Sequence, residues 1–161
     1  AGVIGIVLTT AATGPAARLV LGEEEPLGLA LAPGTAPPGH PAALPPGAPL
    51  DAAALEGMAL ALPTAVFGVR RILEAALEPA QRAALAITEI NAVAVLLSLV
   101  RAGRCATILP RGVAVAAGLE WRALALPGAV VRPMALFNPD RELGSQERRL
   151  LALLRDRLAA G

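Results

Sequence analysis

The residues of this sequence that could bind another molecule stand at the ends of apolar runs. Thr9 and Thr10 end the first run, the turn 64–68 follows a later one, and Asn91 follows a third. Hydroxyl and amide groups form hydrogen bonds, and the free N–H groups at a helix start favour an anion. We therefore predict that these residues bind a small molecule, with a carboxylate or another anion as the expected ligand. The predicted binding residues are Thr9, Thr10, Thr64, Ala65, Val66, Phe67, Gly68 and Asn91.

Residues suited to catalysis are scarce. The sequence contains two Ser, one His, one Cys and no Lys, so a nucleophilic triad or a Schiff-base lysine is hard to assemble. His40 has no second His or cluster of acids near it, and Glu23–Glu25 would point in different directions on a strand. No glycine-rich phosphate motif precedes a helix at the right spacing. We expect no enzyme, no cofactor and no metal site.

Cys105 is the one cysteine of the chain, which excludes an internal disulfide. It lies in the stretch LSLVRAGRCATILPRG (97–112), where no His or Lys is near enough in sequence to lower the pKa of the thiol. Arg101 and Arg104 are placed near the end of a predicted helix, where the macrodipole favours cations. We expect Cys105 to be a small buried hydrophobic residue rather than a reactive thiol.

The composition predicts a substantial core and no strong electrostatic field. Hydrophobic residues make up 55% of the 161 residues but aromatic residues only 2%, so Ala, Leu and Val must fill the core. The length fits one compact domain or two small lobes. A net charge of +1 gives no global attraction for nucleic acid or a membrane surface.

No stretch is predicted to enter a membrane. The most apolar window, 83–100, is interrupted by Glu89 and Asn91. The first seventeen residues carry no charged side chain, but they lack a basic region and include Pro15, so we predict no signal peptide. A cytoplasmic location is compatible with these features.

Strands and helices alternate along the chain. The predicted strands are 3–8, 26–32, 58–62, 85–90 and 105–109, and the predicted helices are a short one at 51–56 and longer ones at 69–77 and 92–102. Asn91 is the expected N-cap of the last helix, Gly103 is its expected left-handed C-cap, and the Pro-rich segment 33–49 is expected to be a surface loop. The order over 58–109 predicts right-handed βαβ units with a parallel sheet covered by helices.

The predicted binding residues follow strands of such a sheet. Ligands of open α/β sheets bind beyond the carboxyl ends of the strands. For Thr64 a second interpretation stays open, namely the N-cap of helix 69–77. Phe67 could belong to the core, although its position before Gly68 would also let it form the wall of a pocket.

Several motifs, in their order and spacing, resemble the effector-binding domain of LysR-type transcriptional regulators. The segment EINAVAVLLSLVRAGRCATILPRGVA (89–114) is similar to the family's Glu, strand, helix, glycine turn and strand ending in Leu-Pro. LGEEEPLGLALAPG (21–34) resembles the strand that crosses between the lobes, and 48–77 resembles the family's short helix, strand and Leu-Pro-Ser/Thr turn. GVIGIVL (2–8) is similar to Gly-x-Leu-Asp-Leu-Ala-Ile, and 132–158 to the closing strand, loop and helix.

The resemblance implies an α/β, two-lobed periplasmic-binding-protein-like fold, with Rossmann-like βαβ lobes joined by two crossing strands. One lobe would comprise 1–27 and 129–161, and the other 28–128. A small-molecule effector would bind between the lobes and shift how the regulator's dimers or tetramers act on DNA. The alternatives are a stand-alone solute-binding protein of the same fold and, with less support, an enzyme on that fold.

The sequence also departs from the family pattern. Gly5 stands where the family usually has Asp, and Cys105 where it usually has Gly. The winged helix-turn-helix and the front of the first lobe, with its first strand and helix, have no counterpart in this sequence. That strand normally brings a Ser/Thr pair to the ligand. We therefore expect contact with DNA only through an N-terminal domain outside the sequence.

Overall fold

The apolar runs of the chain assemble into two units, each of which is described by itself. The computed structural model describes residues 5–9, 16–39, 47–140 and 142–159. The first unit comprises residues 1–25 and 130–161, and the second comprises residues 26–129. Both units combine strands with helices, as the α/β prediction requires.

The first unit is built around one central strand. Its elements are β1 (Gly5–Thr9), β2 (Ala17–Val20), β8 (Val130–Phe137) and α5 (Ser145–Ala159). β8 lies between β1 and β2 and runs antiparallel to both, so that Ala135 is opposite Ile6 on one side and Leu19 on the other. Ala135, Leu21 and Leu151 of α5 are buried together, and this cluster is the core of the unit.

The second unit contains a two-stranded parallel sheet and three further strands that pair with one another. Its strands are β3 (Glu25–Leu31), β4 (Ala59–Leu62), β5 (Ala86–Glu89), β6 (Thr107–Pro110) and β7 (Glu120–Ala123). β4 and β5 are parallel, and Ala106, just before β6, joins β4 in parallel because the N–H of Ala61 donates to its carbonyl at 2.9 Å. β3 is antiparallel to β6 and to β7. The parallel arrangement predicted over 58–109 is therefore correct for β4, β5 and the start of β6, while the direction of β3 had not been predicted.

Four helices accompany this sheet within the part of the unit that the structure describes. They are α1 (Gly68–Ala76), α2 (Pro79–Ala83), α3 (Val93–Arg101) and α4 (Arg111–Ala116). α3 and α4 pack on the sheet face that contains Ala30 and Ala61, together with Leu96, Val100 and Ala114. Small alanines on the sheet let leucine and valine side chains of the helices approach closely, which explains how a core almost without aromatic residues is filled.

Helix α3 ends at a glycine and begins without a side-chain cap. Gly103 has a φ of 65°, and the N–H groups of Gly103 and Arg104 donate to the carbonyls of Val100 and Leu99, which is a complete Schellman motif. The predicted C-cap is confirmed. The predicted N-cap is wrong, because the N-cap of α3 is Ala92 and no side chain caps it.

Four further elements were not predicted, and one was predicted in the wrong form. The four are short, and none has enough apolar periodicity to identify it in the sequence; they are α2, α4, β2 and β7. The predicted helix 51–56 is a single 3-10 turn at Ala53–Leu55, in which Asp51 accepts a hydrogen bond from the N–H of Ala54.

Cys105 is buried, with only 8% of its surface exposed, and packs in the cluster under α3 and α4. Burial raises the pKa of the Cys105 thiol. Arg101 donates to the carbonyl of Ala117 at the end of α4, while Arg104 is exposed. The prediction of a buried, structural cysteine is confirmed.

In the part of the chain that the structure describes, no helix combines the length and the apolar character needed to span a bilayer.

Candidate functional site

The carboxyl ends of β4 and β5 lie side by side in the second unit. Leu62 is opposite Glu89 in the parallel ladder, and the N–H of Ile90 donates to the carbonyl of Leu62 at 2.9 Å. Beyond these ends the chain forms the turn 63–67 and the segment 90–92 before it enters α1 and α3. Two loops and two helix starts therefore meet at one edge of the sheet, where α/β proteins bind ligands.

Asn91 and Thr64, both predicted binding residues, are in direct contact. The side-chain oxygen Oδ1 of Asn91 accepts a hydrogen bond from the backbone N–H of Thr64 at 2.9 Å. The amide of Asn91 is thus used to hold the turn after β4 rather than to cap α3, which corrects the N-cap prediction. Its NH₂ group faces no recorded acceptor within the described residues, and Asn91 is exposed.

Thr64 does not cap α1. The N-cap residue of this helix is Phe67, which has an extended backbone and no side-chain cap. The carbonyl of Thr64 accepts a hydrogen bond from the N–H of Phe67 at 3.0 Å, so the turn closes on itself. Among the described residues no partner is recorded for the Thr64 hydroxyl. The capping interpretation of Thr64 is therefore wrong, and the hydroxyl is available for another molecule.

Both helix starts at this edge have an electrostatic preference for an anion. In α1 the N–H of Arg71 donates to the carbonyl of Phe67, and in α3 the N–H of Leu96 donates to that of Ala92. These are the first hydrogen bonds inside each helix, so the N–H groups of the helical residues before Arg71 and before Leu96 have no acceptor within their helix. Neither helix has an acidic residue in its first turn to offset the positive end of the dipole. Glu89, at the end of β5, is the exposed acid at the same edge.

The same edge presents apolar side chains to solvent. Val66 is 84% exposed, Phe67 is 42% exposed and Val93, the first residue of α3, is 52% exposed. The interpretation of Phe67 as a core residue is therefore wrong. Exposed apolar residues beside free polar donors form a surface that can contact the body of an organic molecule and its charged group at once.

A basic residue in the first turn of α1 was missed by the sequence analysis. The Arg70 side chain is only 13% exposed and forms an ion pair with Glu74, one helical turn later. Its Nη1 atom is buried, and no described residue offers it a hydrogen-bond acceptor. A cation at a helix start opposes the dipole, and this conflict was the signal available in the sequence.

The predicted binding residues of the first unit are described only in part. Thr9 is the last residue of β1 and lies directly opposite Arg132 of β8. Thr10 lies outside the described residues. Arg132, which the sequence analysis did not single out, forms an ion pair with Glu24 through Nη2 and Oε1 at 3.1 Å.

A surface pocket of about 260 Å³ lies elsewhere in the second unit. It is lined by Leu31, Gly34, Thr35, Ala36, Pro37, Glu120 and Arg122. None of the predicted binding residues lines it. Its polar groups also serve the fold, since Glu120 accepts a hydrogen bond from the N–H of Gly34 and Arg122 donates to the carbonyl of Ala48. The described residues contain no group of three or more His, Cys, Asp or Glu placed to hold a metal ion.

Residues 17–159 match the family described as the LysR substrate binding domain. No curated protein matches the sequence. Among solved structures, the chain is similar to the CcmR regulatory domain from Synechocystis PCC6803 in complex with 2-PG, with a TM-score of 0.68 and 14% identity, covering 96% of this chain and 73% of that one. It is also similar to the effector binding domain of a BenM variant, with a TM-score of 0.65 and 18% identity, covering 98% and 71%.

A further similarity involves a complete regulator. Full-length BenM, in a mutant form, matches with a TM-score of 0.62 and 19% identity; the match covers 98% of this chain but only 50% of that one. The chain therefore spans half the length of that relative. At these identities the similarity concerns the fold.

Proposed function

The chain belongs to the LysR substrate-binding domain family, and we propose that it binds a small organic anion as the effector of a transcriptional regulator. Regulators of this family bind small-molecule effectors and form oligomers. The chemistry of the site indicates the class of effector, a small organic anion.

The observation that carries the proposal is the contact between Asn91 and Thr64. This hydrogen bond holds the turn after β4 against the segment after β5, so both helix starts are fixed at one edge of the sheet. Backbone N–H groups at α1 and α3 would receive the anionic group, with the Thr64 hydroxyl as an additional donor. The exposed side chains of Val66 and Phe67 would contact the apolar body of the effector.

The proposed effector contacts are named for each unit separately. In the second unit they are Thr64, Ala65, Val66, Phe67, Gly68 and Asn91. In the first unit we propose Thr9, the last residue of β1, and Thr10, the next residue in the sequence. A small-molecule ligand is supported by two similar structures, the CcmR regulatory domain in complex with 2-PG and the BenM effector binding domain with its effector benzoate.

The proposed mechanism is a shift between conformational states. An effector changes an equilibrium only by as much as its affinities for the two states differ. Here the difference would arise because one state brings all the contacts to the ligand and the other does not. In the complete regulator this shift would alter how dimers or tetramers bind DNA through a separate N-terminal domain, which implies action in the cytoplasm.

The test is a calorimetric titration with carboxylates selected in a thermal-shift screen. Thr64→Ala should weaken binding by about fivefold or more, the equivalent of one hydrogen bond of roughly 1 kcal/mol. Gly68→Val should also weaken it, because a larger side chain would crowd a ligand close to the backbone. Ser98→Ala, which removes an exposed hydroxyl from the middle of α3, is the matched control and should bind like wild type. Unchanged affinity in both site variants would refute the site.

A further inference from the structure

The guanidinium of Arg132 is only partly paired within the first unit. Its Nη2 lies 3.1 Å from Oε1 of Glu24, and the side chains of Arg132 and Glu24 are 37% and 51% exposed. The Nε atom of Arg132 is buried and has no hydrogen-bond partner among the residues that the structure describes. One donor of this edge is therefore paired with a carboxylate, while the other lacks an acceptor.

This arrangement is incomplete for an arginine. Nε and Nη2 form one edge of the planar guanidinium, and that edge matches the two oxygens of a carboxylate. Glu24 supplies one oxygen to Nη2 and leaves Nε without an acceptor, which is unfavourable for a buried donor. An ion pair with a half-exposed partner is also weak, because water competes for both charges. Another carboxylate could therefore replace Glu24 with little loss.

The position of Arg132 in the sheet is suited to that exchange. It lies on β8 directly opposite Thr9, the last residue of β1 and one of the proposed effector contacts. Since Nε is inaccessible in this conformation, a carboxylate could use both donors only after the guanidinium turns away from Glu24.

We propose that Arg132 binds the carboxylate group of the effector and that Glu24 is an internal counter-ion which the effector displaces. The ligand class is a small organic carboxylate. The inference rests on the proposed function, because it assigns a further residue to the same ligand. It also supplies a two-state element, since Arg132 is bound either by Glu24 or by the effector.

The experiment is a calorimetric titration of the chain with benzoate, and with benzamide as the uncharged probe of the same shape. Arg132→Gln should weaken benzoate binding at least tenfold, and Glu24→Gln should tighten it about threefold or more because the internal competitor is gone. The controls are Glu23→Gln and Arg155→Gln, which neutralise an exposed neighbour and an exposed arginine of α5; both should bind like wild type. Benzamide should bind weakly and equally to all variants.

A second measurement distinguishes ligand contact from a purely structural ion pair. In ¹⁵N spectra of the arginine side chains, benzoate should shift the Nε–H signal of Arg132, which is assigned by its loss in Arg132→Lys. A structural pair would lower the melting temperature in both Arg132→Gln and Glu24→Gln without changing affinity. That result overturns the inference. So does a Glu24→Gln variant that binds benzoate no more tightly than wild type.

The failure of this inference is distinguishable from failure of the proposed function. If Asn91→Ala abolishes benzoate binding while both Arg132 and Glu24 variants bind like wild type, the site at α1 and α3 stands and Arg132 is not part of it. If the wild-type chain binds neither benzoate nor any screened carboxylate, both proposals are refuted.

Discussion

Asn91 and Thr64, 27 residues apart in the sequence, are joined by a hydrogen bond from the Thr64 N–H to Asn91 Oδ1 at 2.9 Å. The bond connects the loops that follow two parallel strands, and each loop leads into a helix. The shape of the proposed site therefore depends on one exposed amide side chain.

Replacing Asn91 by Ala should loosen the turn after β4. We expect the free energy of unfolding to fall by about 1 kcal/mol, the value of one hydrogen bond, and carboxylate affinity to fall by more than that loss alone implies, because the helix start of α1 is no longer held. Asn91→Asp keeps the accepting oxygen and should preserve stability. Asn138→Ala removes another exposed Asn that bonds a nearby N–H, that of Asp140, and should leave affinity unchanged. Urea denaturation and calorimetry measure both effects.

Replacing Thr107 of β6 by valine should make the folded chain more stable. Thr107 is fully buried and lies opposite Ala30, and its hydroxyl has no hydrogen-bond partner in the described part of the chain. Valine has nearly the same shape and removes a buried polar group without an acceptor, so Thr107→Val should raise the unfolding free energy by about 1 kcal/mol. Thr88→Val, at an exposed position of β5, is the control and should change it by less than half as much. A loss of stability in Thr107→Val would mean that the hydroxyl has a partner.

Gly28 of β3 has no space for a side chain. A Cβ atom there would overlap the ring of Trp121 and the carbonyl oxygen of Arg122, and the indole is held by a hydrogen bond to the carbonyl of Leu109 at 3.0 Å. We expect Gly28→Ala to destabilise the chain by about 2 kcal/mol or more.

Gly144→Ala is the control for Gly28→Ala, because its added Cβ would meet only ordinary contacts, 3.6 Å from Glu147. The single tryptophan makes fluorescence a direct readout of the damage. Equal stability of the two variants would contradict the close packing of β3 and β7.

Cys105 should make stability depend on pH in the alkaline range. Burial raises the pKa of its thiol in the folded chain, so above about pH 8.5 the unfolded chain loses this proton while the folded chain keeps it. Its contribution is therefore complete below that pH and is lost as the pH rises. Cys105→Ala should be less stable at pH 7 but should show a flatter pH profile between pH 8 and 10.

Thiol reagents provide an independent check on Cys105. Native protein should react with a disulfide reagent far more slowly than urea-unfolded protein, because both burial and the raised pKa suppress the thiolate. Rapid labelling of the native chain would contradict the buried position.

The sequence predicted the parallel βαβ part of the fold well, and physical reasons explain why. Apolar runs such as MALAL (58–62) are typical of strands buried on both faces, and Gly103 marks a helix end because it can adopt a positive φ. The direction of β3 was not predictable, since an apolar run has the same pattern in either orientation. The roles of Asn91 and Arg132 were also missed, because each depends on a partner that is distant in sequence.

The pairing of β3 has a consequence for how the chain acquires its structure during synthesis. Leu29 of β3 pairs with Ile108 and Arg122, which are made long after it, and β1 likewise waits for β8 near the other end. Such long-range contacts slow folding, because a large loop must close before they form. Until residue 110 has left the ribosome, the apolar segment 27–32 has no strand beside it and can aggregate. Folding of this chain at low temperature or with a chaperone present should therefore give a higher yield than rapid expression at high temperature.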